Sequence, residues 1–257
     1  MRVCRTIVAT VLIGLILAPF LTAAHAENPP QFRVSIPSAD QEAAFVCSLM
    51  RNIASFDSNR YVLSMPRSDI VSVLLEKARR KELVGKDWNL LQKDIQTTVY
   101  DRTDYQNGYQ AVADVLAIAD TKGAVFQNYH EKWGFYLPPQ YDIRLTLYGP
   151  GGSYDARTGT IVMLTTKEGG FKRGRNPLET ILHEAVHIGI ENTIVSKYGL
   201  SHWTKERIVD QFMMHHFKDV CPDYRMQPNA ETGIDRIFTG EDVWDHLPER
   251  VHEYVSR

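Results

Sequence analysis

Apolar positions recur at helical spacing through most of the chain. Val46, Leu49, Met50 and Ile53 share one face of a helix predicted over 39–56. Ser68 can cap a second helix carrying Ile70, Val73 and Leu74 towards Gly85. Trp88, Leu91, Ile95 and Val99 mark a third. A polar turn then leads into a long helix through Val112, Leu116 and Ala119 to about Glu131, which Gly123 weakens without ending. Residues 27–38 are Pro-rich and polar and read as an extended lead-in.

The period changes after Leu137-Pro138-Pro139. Residues 142–148 alternate apolar and polar, as a half-buried strand does, and 160–165 read as a second strand. The stretch between them, GPGGSYDARTG, is dense in turn residues and reads as a hairpin turn. The basic loop KEGGFKRGRNP reads as a cleft rim or lid. Helices resume over 178–196, over 202–217, and near the C-terminus through Val243, Trp244, Leu247 and Val251. Helices, a small sheet and helices again define an α+β class. The expected division is a leader over 1–26, a helical region over 27–107 and a core over 108–257.

The first 26 residues are set apart by their own pattern. Arg2 and Arg5 precede an apolar run from Ile7 to Leu21, and Ala24-His25-Ala26 is a small-x-small cleavage site. This predicts a secretory signal peptide cut after Ala26 and a secreted or periplasmic chain. No later stretch is apolar for long enough to span a bilayer. Composition is ordinary for 257 residues, with 44% hydrophobic and 23% charged positions. A formal charge of -2 gives no basic field for nucleic acid. Cys47 and Cys221 remain once the leader is removed, an even count in an oxidising compartment. They are expected either to form a disulfide or to stay buried and unpaired.

The chemistry concentrates in ETILHEAVHIGIENTIV, residues 179–195. Residues four apart on a helix share a face, so His183 and His187 can aim at one point. Glu184 flanks that point without having to ligate. His-Glu-x-x-His on a helix is therefore a zinc motif with a built-in general base. Two histidines do not hold a catalytic zinc alone, and Glu191 lies in line with both. It is nevertheless six residues beyond their midpoint, about 9 Å along a straight helix. A ligand oxygen must come within about 2 Å of zinc, so Glu191 is too far and falls to an outer position or a solvated face.

Glu206 fits better. Gly199 can end the first helix, Ser201 can cap the next, and Glu206 and Asp210 lie four apart on it. Two antiparallel helices joined here would carry Glu206 across to the histidine pair. Asp210 could then accept the outer N–H of a ligand histidine and fix its tautomer.

This pattern, His183-Glu184-x-x-His187 followed by Glu206-x-x-x-Asp210, resembles the gluzincins, the zinc metallopeptidases that include thermolysin and the zinc aminopeptidases. The resemblance extends loosely to the order of a backing helix, a small sheet, the active-site helix and the glutamate helix over residues 108–217, and leaves 27–107 uncovered. It implies a zincin-like core holding one Zn2+ per chain on His183, His187 and Glu206, with Glu184 as catalytic base and Asp210 behind a ligand. It further implies a peptide or protein substrate pairing with a sheet edge, by analogy Ile161 to Thr165.

The chain departs from the family in two places. Neither the thermolysin-like substrate-strand motif nor the aminopeptidase Gly-x-Met-Glu-Asn motif is present, so endo- and exopeptidase action both stay open. The family's His or Tyr oxyanion donor is not marked by any motif. Tyr198, His202, His215, His216, Tyr224 and His246 are the candidates. A zincin-fold binding or assembly module of the cell envelope, with little turnover, is the alternative function, and a non-peptidase zinc amidohydrolase is a third.

Overall fold

The computed structural model describes residues 29–257. The leader and its cut after Ala26 lie outside these residues. The chain is α+β, nine α-helices with a four-stranded sheet among the described residues. In chain order these are β1 (Gln31–Ser35), α1 (Ala39–Arg51), α2 (Ile53–Ser58), α3 (Asp69–Arg79), α4 (Gly85–Asp94), α5 (Gln106–Thr121) and α6 (Gly123–Trp133). Then follow β2 (Gln140–Thr146), β3 (Ser153–Asp155), β4 (Thr160–Leu164), α7 (Pro177–Ile190), α8 (His202–His216) and α9 (Leu247–Val255). Among the described residues, no helix is long and apolar enough to cross a membrane.

The sheet order is β1-β2-β4-β3. β1 and β4 run parallel to β2, and β3 runs antiparallel to β4. Side chains alternate across a strand, so the register lines up Phe32 with Tyr141, Val34 and Ile161 with Ile143, and Met163 with Leu145. All seven are buried. This face carries the hydrophobic core, which continues into α1, α3, α4, α7 and α8.

Two strands arise where none was expected. Gln31–Ser35 lies in the stretch read as a lead-in, and it joins the N-terminal region to the sheet of the core. Ser153–Asp155 lies in the stretch read as a turn. As a result β4 is an inner strand, and the assignment of Ile161 to Thr165 as the free edge is corrected: the edge on that side is β3.

The long helix is also two helices. α5 stops at Thr121 and α6 begins at Gly123. A Cβ at Gly123 would lie 2.9 Å from the Pro29 ring, so the glycine lets the chain ahead of β1 pack against the junction. Cys47 and Cys221 are both buried and free, and no disulfide joins them. Cys47 lies near Arg51 on its own helix, whereas Cys221 lies near Glu179 and Asp219. Burial pushes both thiols up, Cys221 to about 12.

Glu42 of α1 ties the N-terminal helices to the sheet. Its Oε1 accepts from Tyr105 Oη at 2.9 Å, Thr146 Oγ1 at 2.8 Å and the Leu147 backbone N–H at 3.2 Å. Burial raises its pKa against these three donors. Glu42→Ala leaves a buried N–H and two hydroxyls without their acceptor, and is expected to cost at least about 2 kcal/mol. Glu42→Gln keeps an acceptor oxygen and should cost less. Urea unfolding of both variants checks the order.

Candidate metal centre

α7 begins at Pro177, one residue ahead of the start expected at 178. Asn176 caps it through Oδ1 to the Leu178 N–H at 3.0 Å, and Pro177 occupies the first turn. Ile181, Leu182, Ala185, Val186 and Ile188 are fully buried, so the histidine face is fixed by packing around the rest of the helix. Past Ile190 the helix widens into a π-helical segment, Glu191–Ser196. Gly199 takes φ +61, the left-handed conformation that ends helices. Ser201 then caps α8, accepting from the Thr204 N–H at 3.1 Å. α7 and α8 pack together, which carries Glu206 to the histidine pair.

The three inner atoms form a small triangle. His183 Nε2 and His187 Nε2 are 3.1 Å apart. Glu206 Oε2 is 3.4 Å from the first and 3.3 Å from the second. Ligands at about 2.0–2.1 Å from a tetrahedral zinc lie about 3.3 Å from one another. The residues present therefore fit the ion. Among the described residues this is the one group of three His, Cys, Asp or Glu side chains close enough to share a metal.

Burial and mutual contacts shift the three groups in different directions. Burial pushes His187 down to about 4, against Glu206, and keeps the imidazole neutral as a ligand must be. Burial also pulls His183 down, but the Glu206 hydrogen bond and the charges of Glu184, Glu206 and Asp210 outweigh it and raise the group. Burial would raise Glu206, yet its contacts with both histidines hold it well below the carboxylate range. Glu206 stays an anion.

Asp210 is fully buried and does not reach a histidine directly, so the expected contact is corrected. Tyr224 stands between them. Its hydroxyl donates to Asp210 Oδ1 at 2.7 Å and lies 2.7 Å from His183 Nδ1. The single phenolic proton is used on Asp210, so His183 must donate from Nδ1, which leaves Nε2 bare towards the triangle. Gln227 braces both acids, donating from its side chain to Glu206 Oε2 and from its backbone to Asp210 Oδ2 at 2.7 Å.

Glu184 is 7% exposed, and no hydrogen bond to another described residue engages its carboxylate. Burial lifts it to about 7, against the charges of His183 and Lys205. Its Oε1 faces the chain just ahead of β3: a Cβ on Gly152 would lie 2.5 Å from that oxygen.

The six oxyanion candidates separate by position. His202 Nδ1 is 3.6 Å from Glu206 Oε1, and its Nε2 is 3.3 Å from the Tyr61 hydroxyl. Tyr224 is at the site with its proton committed. His215 and His216 pack against Trp244, Tyr198 against His252, and His246 lies near Asp242. None of these four touches the triangle.

Sequence reasoning missed Tyr154, Lys205 and Gln227. Tyr154 of β3 stacks on His187, rings 5.0 Å apart and 7° from parallel. Its hydroxyl donates to Glu191 Oε2 at 2.5 Å and accepts from Lys205 Nζ at 2.8 Å. Glu191 is therefore neither a ligand nor a solvated bystander. The only sequence signal for Tyr154 was one aromatic among turn residues.

Comparison with known protein families, curated proteins and solved structures gave no match to the chain.

Proposed function

We propose that the chain is a zinc-dependent hydrolase of peptide bonds, acting on peptides or proteins outside the cytoplasm. The observation that carries this reading is the His183–His187–Glu206 triangle with an unengaged, buried carboxylate on the same helix. The extracytoplasmic setting rests on the leader read in residues 1–26. His183, His187 and Glu206 would hold Zn2+, which would supply Lewis-acid activation of water and of the carbonyl.

The chain's own residues do the rest. Glu184, lifted towards neutrality, takes the proton of the attacking water and passes it to the leaving amine. Tyr224 and Asp210 hold His183 in the ligating tautomer. The free edge of β3 offers Ser153–Asp155 for pairing with an extended substrate, beside Gly152 and Glu184. Of the six candidates, His202 lies 3.6 Å from Glu206 with no proton committed to Asp210, and is the one assigned to a developing oxyanion.

Digestion of a peptide library by the zinc-loaded chain, with Glu184→Gln as control, tests the reading. Cleavage by the wild type and none by the variant is the expected result. No cleavage by either would favour the envelope binding module instead. Gly152→Ala is expected to displace the Glu184 carboxylate and lower turnover by about 100-fold, with zinc content unchanged. Steady-state rates and elemental analysis of that variant check both halves.

A further inference from the structure

The two histidines are held in different ways. His183 has an outer partner, the Tyr224 hydroxyl. His187 has none: its Nδ1 is buried and meets no hydrogen-bond partner among the described residues. A ligand imidazole normally takes its orientation from the acceptor on its outer nitrogen. Something else must fix the plane of His187.

We propose that Tyr154 is the positioning residue for His187, with Glu191 and Lys205 as its brace. This rests on the zinc reading of the triangle. The parallel stack of Tyr154 on the imidazole restricts rotation about the His187 Cβ–Cγ bond, which would tilt the ring plane and is the freedom a missing hydrogen bond leaves open. The separation of 5.0 Å lies in the range of stacked aromatic pairs.

The phenol is itself immobilised. Its oxygen is held at 2.5 Å by Glu191 and at 2.8 Å by Lys205, and the Lys205 ammonium also lies 5.2 Å from the ring centroid. These contacts come from three elements. β3 supplies the ring, the π-helical segment after α7 supplies Glu191, and α8 supplies Lys205, the residue before the ligand Glu206. π-segments of this kind recur at functional sites. Here the widening begins at Glu191, whose carboxylate goes to the phenol of β3. The brace thus joins the strand to both ligand-bearing helices.

Zinc dissociation constants of the full chain, from competition with a chromophoric chelator, test the assignment. Tyr154→Leu is expected to weaken zinc by about 10–100-fold, as loss of an outer partner does. Tyr154→Phe keeps the stack and should stay within a few-fold of wild type. Co2+ loading supplies a readout that a merely structural role would not move. The visible absorption of the Co2+ form should change in Tyr154→Leu and be retained in Tyr154→Phe. Equal zinc affinity and an unchanged Co2+ spectrum in Tyr154→Leu would overturn the proposal and leave the metal reading intact. Wild-type protein that binds no zinc would overturn both. If Tyr154→Leu does not fold, Tyr154→Thr, a β-branched residue suited to β3, removes the ring in its place. A loss of zinc affinity of about 10-fold or more supports the proposal there, and unchanged affinity overturns it.

Discussion

Glu206→Ala is expected to weaken zinc binding by more than about 100-fold, beyond what loss of an outer partner costs. The reason is geometric. Glu206 Oε2 forms one corner of a triangle with sides of 3.1, 3.4 and 3.3 Å, and no other described carboxylate shares it. Its charge also offsets that of the ion in a buried setting. Glu191→Ala should cost far less, because Glu191 bonds to Tyr154 and acts on the site only through that ring. Zinc competition titrations on the two variants measure the difference. The reverse order would mean that the third ligand has been misassigned.

Glu184→Gln is expected to keep zinc and lower hydrolysis by about 10²- to 10⁴-fold, the usual contribution of a positioned general base. The amide has nearly the shape of the carboxylate and cannot take the proton. The carboxylate is not part of the triangle, and no described residue hydrogen-bonds to it, so its replacement leaves no partner stranded. Turnover measured alongside zinc stoichiometry separates the two roles. Hydrolysis unchanged in the variant would remove Glu184 from the mechanism.

Much of the site could be read from the chain because its determinants are local. Helical geometry brings His183 and His187 together, and the same arithmetic puts Glu191 out of reach. Gly199 and Ser201 mark the helix break, and that break carries Glu206 back to the pair. The supporting residues were not legible for the opposite reason. Tyr154 reaches His187 across 33 positions through a three-residue strand, set among glycines that read as a turn. Its placement follows from the pairing of β3 with β4, a long-range register that no short window encodes. Tyr224 and Gln227 sit in irregular chain after α8, where no periodicity indicates a direction.

The fold shows the same division. α1, α3, α4, α7 and α8 follow from apolar stripes and from the caps at Ser68 and Ser201. β1 was hidden behind Pro29 and Pro30, and its role depends on pairing with β2 more than 100 positions away. The break between α5 and α6 depends on Pro29 packing against Gly123, a contact between distant parts of the chain. Asp210 shows a finer limit. Its spacing from Glu206 put it behind the histidines, but the phenol that connects them comes from elsewhere.

The zinc content of the chain, purified with zinc supplied and measured by elemental analysis, tests the central claim most directly. The His183–His187–Glu206 triangle predicts one zinc per chain. Metal-replete protein that carries none would contradict it.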